Sequence, residues 1–274
     1  MSMPLASDFP HAISINKMYD TCVRDLRTFC EQTHASSLVV GLSGGIDSAL
    51  CACMAVDALG ASQVTALLLP GPFSSDASRT DAYALANILH IQAHELSIVP
   101  AYQALSQPLS GMLGTRYQGV PNQNVQARLR MVALMAFSNA CDALLLNTGN
   151  KTEALMGYST LYGDTAGAFA PLGGLYKTSV YALARLRGVP EAIIEKAPSA
   201  ELAPHHFDED ALGFSYAQLD ALLVRVYDLH MSAHDAAREA GLSPDEGDSI
   251  VERVEQYAYK RALEPPYPQH TFYA

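Results

Sequence analysis

The segment VVGLSGGIDSAL, residues 39–50, constrains the fold more than any other part of the chain. A β-branched run, a Ser-Gly-Gly turn and an Ala-rich stretch read as strand, tight turn and helix. That order sets backbone N–H groups at a helix N-terminus, where the partial positive charge favours an anion. Gly41, Gly44 and Gly45 let the main chain approach a phosphate with no Cβ in the way. Ser43 and Ser48 add hydroxyls at the turn and the helix start. The lysine of Gly-x-x-x-x-Gly-Lys-Ser/Thr is missing, and so is Gly-x-Gly-x-x-Gly. Neither a Walker loop nor a dinucleotide loop is therefore read here.

The remaining pattern extends this start into an α/β chain. Ile15, Met18, Cys22, Leu26 and Phe29 recur at helical spacing over 13–33. Strands are expected at 37–42, 63–69, 91–98 and 143–146, and helices at 46–59, 76–89 and 124–141 between them. Alternation of this kind predicts an open parallel sheet with helices on both faces. The stretch 106–122, rich in Gly, Gln and Ser, is expected to be irregular and either mobile or functional. Helices near 178–187, 216–229, 232–240 and 245–262 make a helical C-terminal part. No repeat, low-complexity segment or linker is found, so residues 1–274 are read as one domain.

Composition narrows the function. A formal net charge of -11 disfavours a nucleic-acid surface. No signal peptide and no apolar run of membrane-spanning length is found, so no membrane partner and a cytoplasmic location are expected. The five cysteines, Cys22, Cys30, Cys51, Cys53 and Cys141, form no C-x-x-C and are read as reduced core thiols.

In an open parallel sheet, ligands bind beyond the carboxyl ends of the strands. The loop at 43–45 lies there, and so does the start of NTGNKTEALMGYSTLYGDTAGAFAPLGGLYKT, residues 147–178. Asp47 is thus expected near the phosphate cradle, and Glu153 is read either as a second carboxylate there or as a solvated helix carboxylate, since spacing alone does not show that the two converge. Such a pair suits Mg²⁺, which takes one or two carboxylates and completes its shell with phosphate oxygens and water.

The string SGGIDS resembles the pyrophosphate loop of the N-type ATP pyrophosphatases. Together with NVQARLRM at 124–131, the GYSTLYGD block at 157–164 and KAPSAEL at 196–202, the chain resembles NAD synthetases from about Asn16 to about Pro266. The resemblance implies a Rossmann-like fold of the adenine nucleotide alpha hydrolase kind. It also implies a reaction: ATP adenylylates the nicotinate carboxylate of deamido-NAD, and ammonia then displaces AMP. With no room for a glutamine-hydrolysing domain, it implies the ammonia-dependent form, and it implies a homodimer. The helix at 124–141 is the expected interface element.

By the same resemblance, Gly41, Ser43, Gly44, Gly45, Asp47, Ser48, Thr148, Lys177 and Ser199 would bind ATP. Asp47 and Lys177 would be catalytic, and Asp47 and Glu153 would hold Mg²⁺. Arg128, Tyr158, Asp164 and Lys260 would bind deamido-NAD. The segments 71–79 and 205–213 are candidate lids, with ordinary surface loops as the alternative.

Arg128 and Arg130 lie about 200° apart on a helix and cannot share one pocket. Val125, Leu129, Val132 and Ala136 mark the expected buried stripe. Arg128 is assigned to substrate and Arg130 to a solvated or structural ion pair, with an exchange of roles left open. Two positions depart from part of the family: a second aspartate is Ala168 here, and a His-Lys pair is Tyr259-Lys260. The His205-His206 pair is not read as a metal site, and the tail PPYPQHTFYA is read as a packed or frayed terminus. Two other readings stand beside the first. One is a different pyrophosphate-loop ligase, such as GMP synthetase or a tRNA-thiolating enzyme. The other is a catalytically silent nucleotide binder.

Overall fold

The computed structural model describes residues 13–204 and 207–262. Four short parallel strands, β1 (Leu38–Gly41), β2 (Val64–Leu68), β3 (Gln92–Glu95) and β4 (Leu144–Leu145), form a sheet of order β3-β2-β1-β4. Leu38 pairs with Val64 on one side and with Leu144 on the other. The chain winds outward from β1 through β2 to β3, then returns to the opposite side of β1. The direction therefore reverses between β1 and β4, and this reversal opens a crevice beyond their carboxyl ends. The rudiment of a fifth position is a parallel bridge between Leu146 and Phe169.

One face of the sheet carries α1 (Ile15–Thr33), α2 (Ile46–Leu59) and α7 (Lys177–Arg187). α2 is buried along nearly its whole length, and its Ala and Cys side chains are short enough to lie between sheet and neighbouring helices. Ser14 caps α1 by accepting from Lys17 N, and Ser75 caps α3 (Asp76–Ile88) by accepting from Ser78 N. The opposite face is covered by α5 (Val120–Cys141), whose Leu134 packs with Val39, Leu67 and Leu145. A third cluster lies in the C-terminal helices α9 (Asp208–Leu212), α10 (Tyr216–Leu223), α11 (Ala233–Glu239) and α12 (Pro244–Gln256). It also takes in Leu155, Met156 and Tyr176, which flank the crevice.

Several expectations are corrected. Residues 106–122 are largely helical: α4 (Val99–Leu113) runs through Pro108, a 3₁₀ turn follows at Gly114–Tyr117, and α5 starts at Val120. Tyr102, Ser106, Leu109 and Leu113 share one half-buried face at helical spacing, and this periodicity outweighs the Gly and Pro punctuation. The stretch 216–229 is α10 followed by a π-helical turn at Val224–Asp228. The last expected helix ends at Gln256 and gives way to a 3₁₀ turn at Ala258–Arg261. On α5 the buried residues are Gln126, Ala127, Leu134 and Ser138, whereas Val132 and Ala136 are exposed. Cys141 is exposed as well, unlike the buried Cys30, Cys51 and Cys53. The His205-His206 pair, part of the lid candidate 205–213 and the 265–274 tail lie outside the described residues. Among the described residues, no helix is long and apolar enough to cross a membrane.

Candidate active site

β1 delivers the glycine turn and α2 begins at Ile46 with Gly45 as its N-cap. Gly44 has φ +82°, and a Cβ there would lie 2.1 Å from Ser78 O, so only glycine fits both the dihedral and the space. The turn is organised internally by hydroxyls. Ser43 N donates to Ser48 Oγ at 3.2 Å, and Gly45 N donates to Ser43 Oγ at 3.2 Å. Ser48 Oγ donates to Gly45 O at 3.0 Å. Lys196 donates to Gly44 O at 3.1 Å and pairs with Asp81 of α3, which puts a cation of the cleft lining beside the turn.

β4 delivers Asn147, Thr148, Gly149 and Asn150 to the same crevice, followed by α6 (Lys151–Leu155). Asn150 and Glu153 form a capping box: Glu153 N donates to Asn150 Oδ1 at 3.0 Å, and Asn150 N to Glu153 Oε2 at 3.4 Å. The buried Asn150 also donates from Nδ2 to Asp47 Oδ1 at 2.9 Å. One side chain thus closes the cap of α6 and ties it to α2. A five-residue helix has no stability of its own. Its last carbonyl and those that follow it are held by the C-terminal part: Arg261 donates to Leu155 O, Arg253 to Met156 O, and Lys260 to Gly157 O and Ser159 O at 2.8 and 2.7 Å.

Lys177, the first residue of α7, closes the centre. Its ammonium lies 2.5 Å from Asp47 Oδ2 and 3.1 Å from Glu153 Oε1, with 2% of the side chain exposed. The Tyr216 ring covers it, 5.0 Å from centroid to Nζ. Burial acts to lower the Lys177 pKa, yet the two carboxylates outweigh it and hold the ammonium well above its ordinary value. Burial pushes the Glu153 carboxyl up to about 7; Lys177 opposes the rise and Asp47 adds to it. Asp208 lies alongside, accepting from Tyr158 and Tyr216 hydroxyls at 3.1 Å each.

These groups line a cleft of about 1460 Å³, larger than the ~300–1,000 Å³ typical of a single small-ligand site. Of the residues singled out in the sequence, Gly41, Ser43, Gly45, Asp47, Ser48, Thr148, Glu153, Tyr158, Asp164, Lys177, Ser199 and Lys260 line it. Gly44 supports the turn from behind. Asp164 receives Thr160 N at 2.5 Å, and burial raises its pKa. Arg128 does not line the cleft; it is exposed on α5 and donates to Leu161 O at 3.1 Å. Arg130 does line it, donating to Leu69 O at 3.0 Å and packing beside Gly71. Burial lowers its pKa, but a guanidinium stays charged at neutral pH. The inward and outward faces of α5 are therefore those of Arg130 and Arg128 respectively, because Ala127, Leu134 and Ser138 pack inward.

The donor set fits a hard divalent cation. Asp47 and Glu153 converge on one point that already accommodates a positive charge. Among the described residues, no group of three or more His, Cys, Asp or Glu could hold a metal unaided. The two carboxylates would share the ion with phosphate oxygens. Asn150, Asp208 and Asp220 were not singled out in the sequence. Asn150 was detectable as the N-cap of an N-x-x-E capping box in NKTE; the two aspartates carry no local signal.

The profile of the NAD synthase family matches residues 18–264. The glutamine-dependent NAD(+) synthetase of Aquifex aeolicus is 38% identical over 260 residues, 93% of this chain and 46% of that protein. The chain thus spans about half the length of such curated relatives. The NH3-dependent NAD(+) synthetase of Pyrococcus furiosus is 37% identical over 245 residues, 89% of this chain and 93% of that protein. Among solved structures, the NMN synthetase of Francisella tularensis superposes with a TM-score of 0.78 at 33% identity, covering 93% of this chain and 99% of that one.

Proposed function

The chain belongs to the NAD synthase family, and from that premise we propose that it is an ATP-dependent amide-forming ligase that converts deamido-NAD, ATP and ammonia to NAD, AMP and pyrophosphate. The observation that carries this reading is the meeting of Asp47, Glu153 and Lys177 at the mouth of the Ser43–Gly45 cradle. Two carboxylates and a buried ammonium beside a nest of N–H groups suit adenylyl transfer. The nicotinate carboxylate oxygen attacks the α-phosphorus, the P–O bond to the β-phosphate breaks, and pyrophosphate leaves into the cradle. Ammonia then attacks the acyl carbon and AMP departs, with one ammonia proton lost to solvent.

No protein nucleophile is needed, since the substrate carboxylate is the nucleophile. The protein's work is to align two polyanions and neutralise the charge on the leaving pyrophosphate. Lys177 and the Ser43 hydroxyl would supply donors there, and Gly45 N–H and the Ser48 hydroxyl would join them on giving up their bonds to Ser43 Oγ and Gly45 O. Asp47 and Glu153 would hold Mg²⁺, which supplies charge neutralisation on the phosphates when bound. Thr148 and Ser199 would bind ATP, and Tyr158, Asp164 and Lys260 the nicotinate nucleotide. Arg130 lines this cleft, as the exchange of roles between the two arginines would have it; Arg128 would reach a nucleotide only from outside, as in a homodimer in which it served the partner's site.

The reading is tested by product analysis with ATP, Mg²⁺, ammonium and deamido-NAD at mildly alkaline pH. NAD with stoichiometric AMP and pyrophosphate is expected. A second reading has specific support from the likeness to the Francisella tularensis NMN synthetase: nicotinate mononucleotide as the acid substrate. Running both acids in parallel separates the two by kcat/KM. Pyrophosphate released with neither acid amidated would redirect the search to another carboxylate, and no pyrophosphate at all would favour a silent binder.

A further inference from the structure

α7 begins without a cap of its own. Its N-cap residue is Tyr176, whose side chain makes no capping hydrogen bond, although the first N–H groups of a helix lack intrahelical partners. The donors are satisfied from elsewhere in the chain. Thr178 N donates to Asp220 Oδ2 at 2.7 Å, and Lys177 N donates to Thr152 Oγ1 at 3.0 Å. Thr152 Oγ1 in turn donates to Asp220 Oδ1 at 2.5 Å. Asp220, from α10, is 2% exposed and Thr152 is fully buried.

The connections form a ring. Thr152 precedes Glu153 on α6, and Thr178 follows Lys177 on α7. A single carboxylate outside the cleft lining therefore grips the backbone of α7 and the side chain of α6, one residue from Lys177 and one from Glu153. We propose that Asp220 is a positioning residue: it sets the spacing of Glu153 and Lys177, and hence the divalent-cation and ATP-phosphate site, from the helical C-terminal part. It touches neither substrate nor metal. The inference rests on the proposed cation site at Asp47 and Glu153, and on the ligase reading for its turnover readout.

The test uses the full-length chain with Asp220→Asn, which keeps the side-chain volume but offers an amide N–H where Thr178 N or the Thr152 hydroxyl now finds an acceptor. Turnover, Mg²⁺ half-saturation and Mn²⁺ binding in the presence of ATP, read by electron paramagnetic resonance, are compared at equal folded fraction. We expect kcat to fall at least tenfold and both cation measures to weaken at least fivefold. The KM for the pyridine nucleotide should stay within twofold. A lowered melting temperature with unchanged kcat and cation affinity would reduce Asp220 to a packing residue and overturn the inference.

If Asp220→Asn does not fold, the middle of the ring carries the test. Thr152→Val removes the relay hydroxyl and should reproduce the loss, while Thr152→Ser should restore cation affinity to within threefold of the wild type. Equal behaviour of Val and Ser variants would overturn the inference equally. If the wild type makes no amide with either acid, the ligase reading fails, but Mn²⁺ binding with ATP still reports on Asp220 alone.

Discussion

Lys177 poses a question of occupancy at the scale of single residues. Its ammonium sits between the two carboxylates that would hold Mg²⁺, so a free divalent ion must displace a buried, strongly paired cation. On the proposed reading, the β- and γ-phosphates of ATP would offer the ammonium a new partner and leave Asp47 and Glu153 free to hold the cation. Lys177→Met should therefore bind Mn²⁺ without nucleotide at least tenfold more tightly than the wild type, and Mn²⁺ should raise its melting temperature selectively. It should also lose at least a hundredfold in turnover, about 3 kcal/mol of transition-state stabilisation. Unchanged Mn²⁺ affinity in a folded variant would show that the ammonium does not guard the site. Gly44→Ala tests the turn. The positive φ alone costs about 1–2 kcal/mol for a residue with a Cβ, and the Ser78 carbonyl in its path must also move. ATP affinity should fall at least tenfold in calorimetry, while urea unfolding registers only the few kcal/mol of strain. The sequence exposed both residues because each sits in a contiguous motif. Asp220 is hidden because its role exists only through contacts to Thr178 and Thr152, 42 and 68 residues away, and Asp208 because it meets the site through Tyr158, 50 residues away.

Among the elements, three helices share one ionic knot on the covered face of the sheet. Asp57 of α2 accepts from Tyr19 of α1 at 2.7 Å and from both Nε and a terminal nitrogen of Arg187 of α7, at 2.6 and 2.7 Å. Burial acts to raise the Asp57 pKa, but the Arg187 fork and the Tyr19 hydroxyl prevail and hold it below the usual carboxylate value. Since the folded value lies below the unfolded one, the stability from this group is present above about pH 4 and is lost as pH falls through the folded value. Asp57→Ala should cost about 2–3 kcal/mol at pH 7 and progressively less below about pH 4. Urea titrations of both proteins at the two pH values check this; a cost independent of pH would assign it to packing. The knot matters to the site because α7 carries Lys177 at its other end. The strand–helix alternation was legible because β-branched runs and Gly or Pro stops coincide. The exceptions have physical causes. Residues 106–122 fold as helix because a half-buried face overrode breakers. α6 has no periodic signal because five residues show no period, and its helicity depends on capping, on the Thr152 and Leu155 contacts and on Arg253, Lys260 and Arg261.

For the molecule as a whole, α5 is the element with an unfinished surface. Its sequence contains two stripes that periodicity alone cannot rank. Leu134 packs on the sheet, with Ala127 and Ser138 buried on the same side, whereas Arg128, Val132, Met135 and Ala136 share the opposite, exposed face, with Val132 66% and Met135 38% exposed. Nearby, α4 has no buried residue at all, and Met112 at its end is 70% exposed. An apolar stripe of this kind on a long helix suits a two-fold, self-complementary contact, in which α5 of one copy lies against α5 of another. Arg128 heads that stripe, so the same contact would carry it toward the neighbouring cleft and give it access to the dinucleotide that its position in one chain denies. The two properties should then fail together. Val132→Glu sets like charges against each other near the two-fold axis and should weaken association at least tenfold in sedimentation equilibrium at micromolar concentration. Its KM for the dinucleotide should rise in parallel with that of Arg128→Ala, while the KM for ATP stays within twofold in both. Arg128→Ala should leave association intact, which separates the ligand contact from the interface. A wild-type chain that sediments as a stable monomer with full activity would sink the dimer, and would return Arg128 to the hydrogen bond it makes with Leu161 O and nothing more.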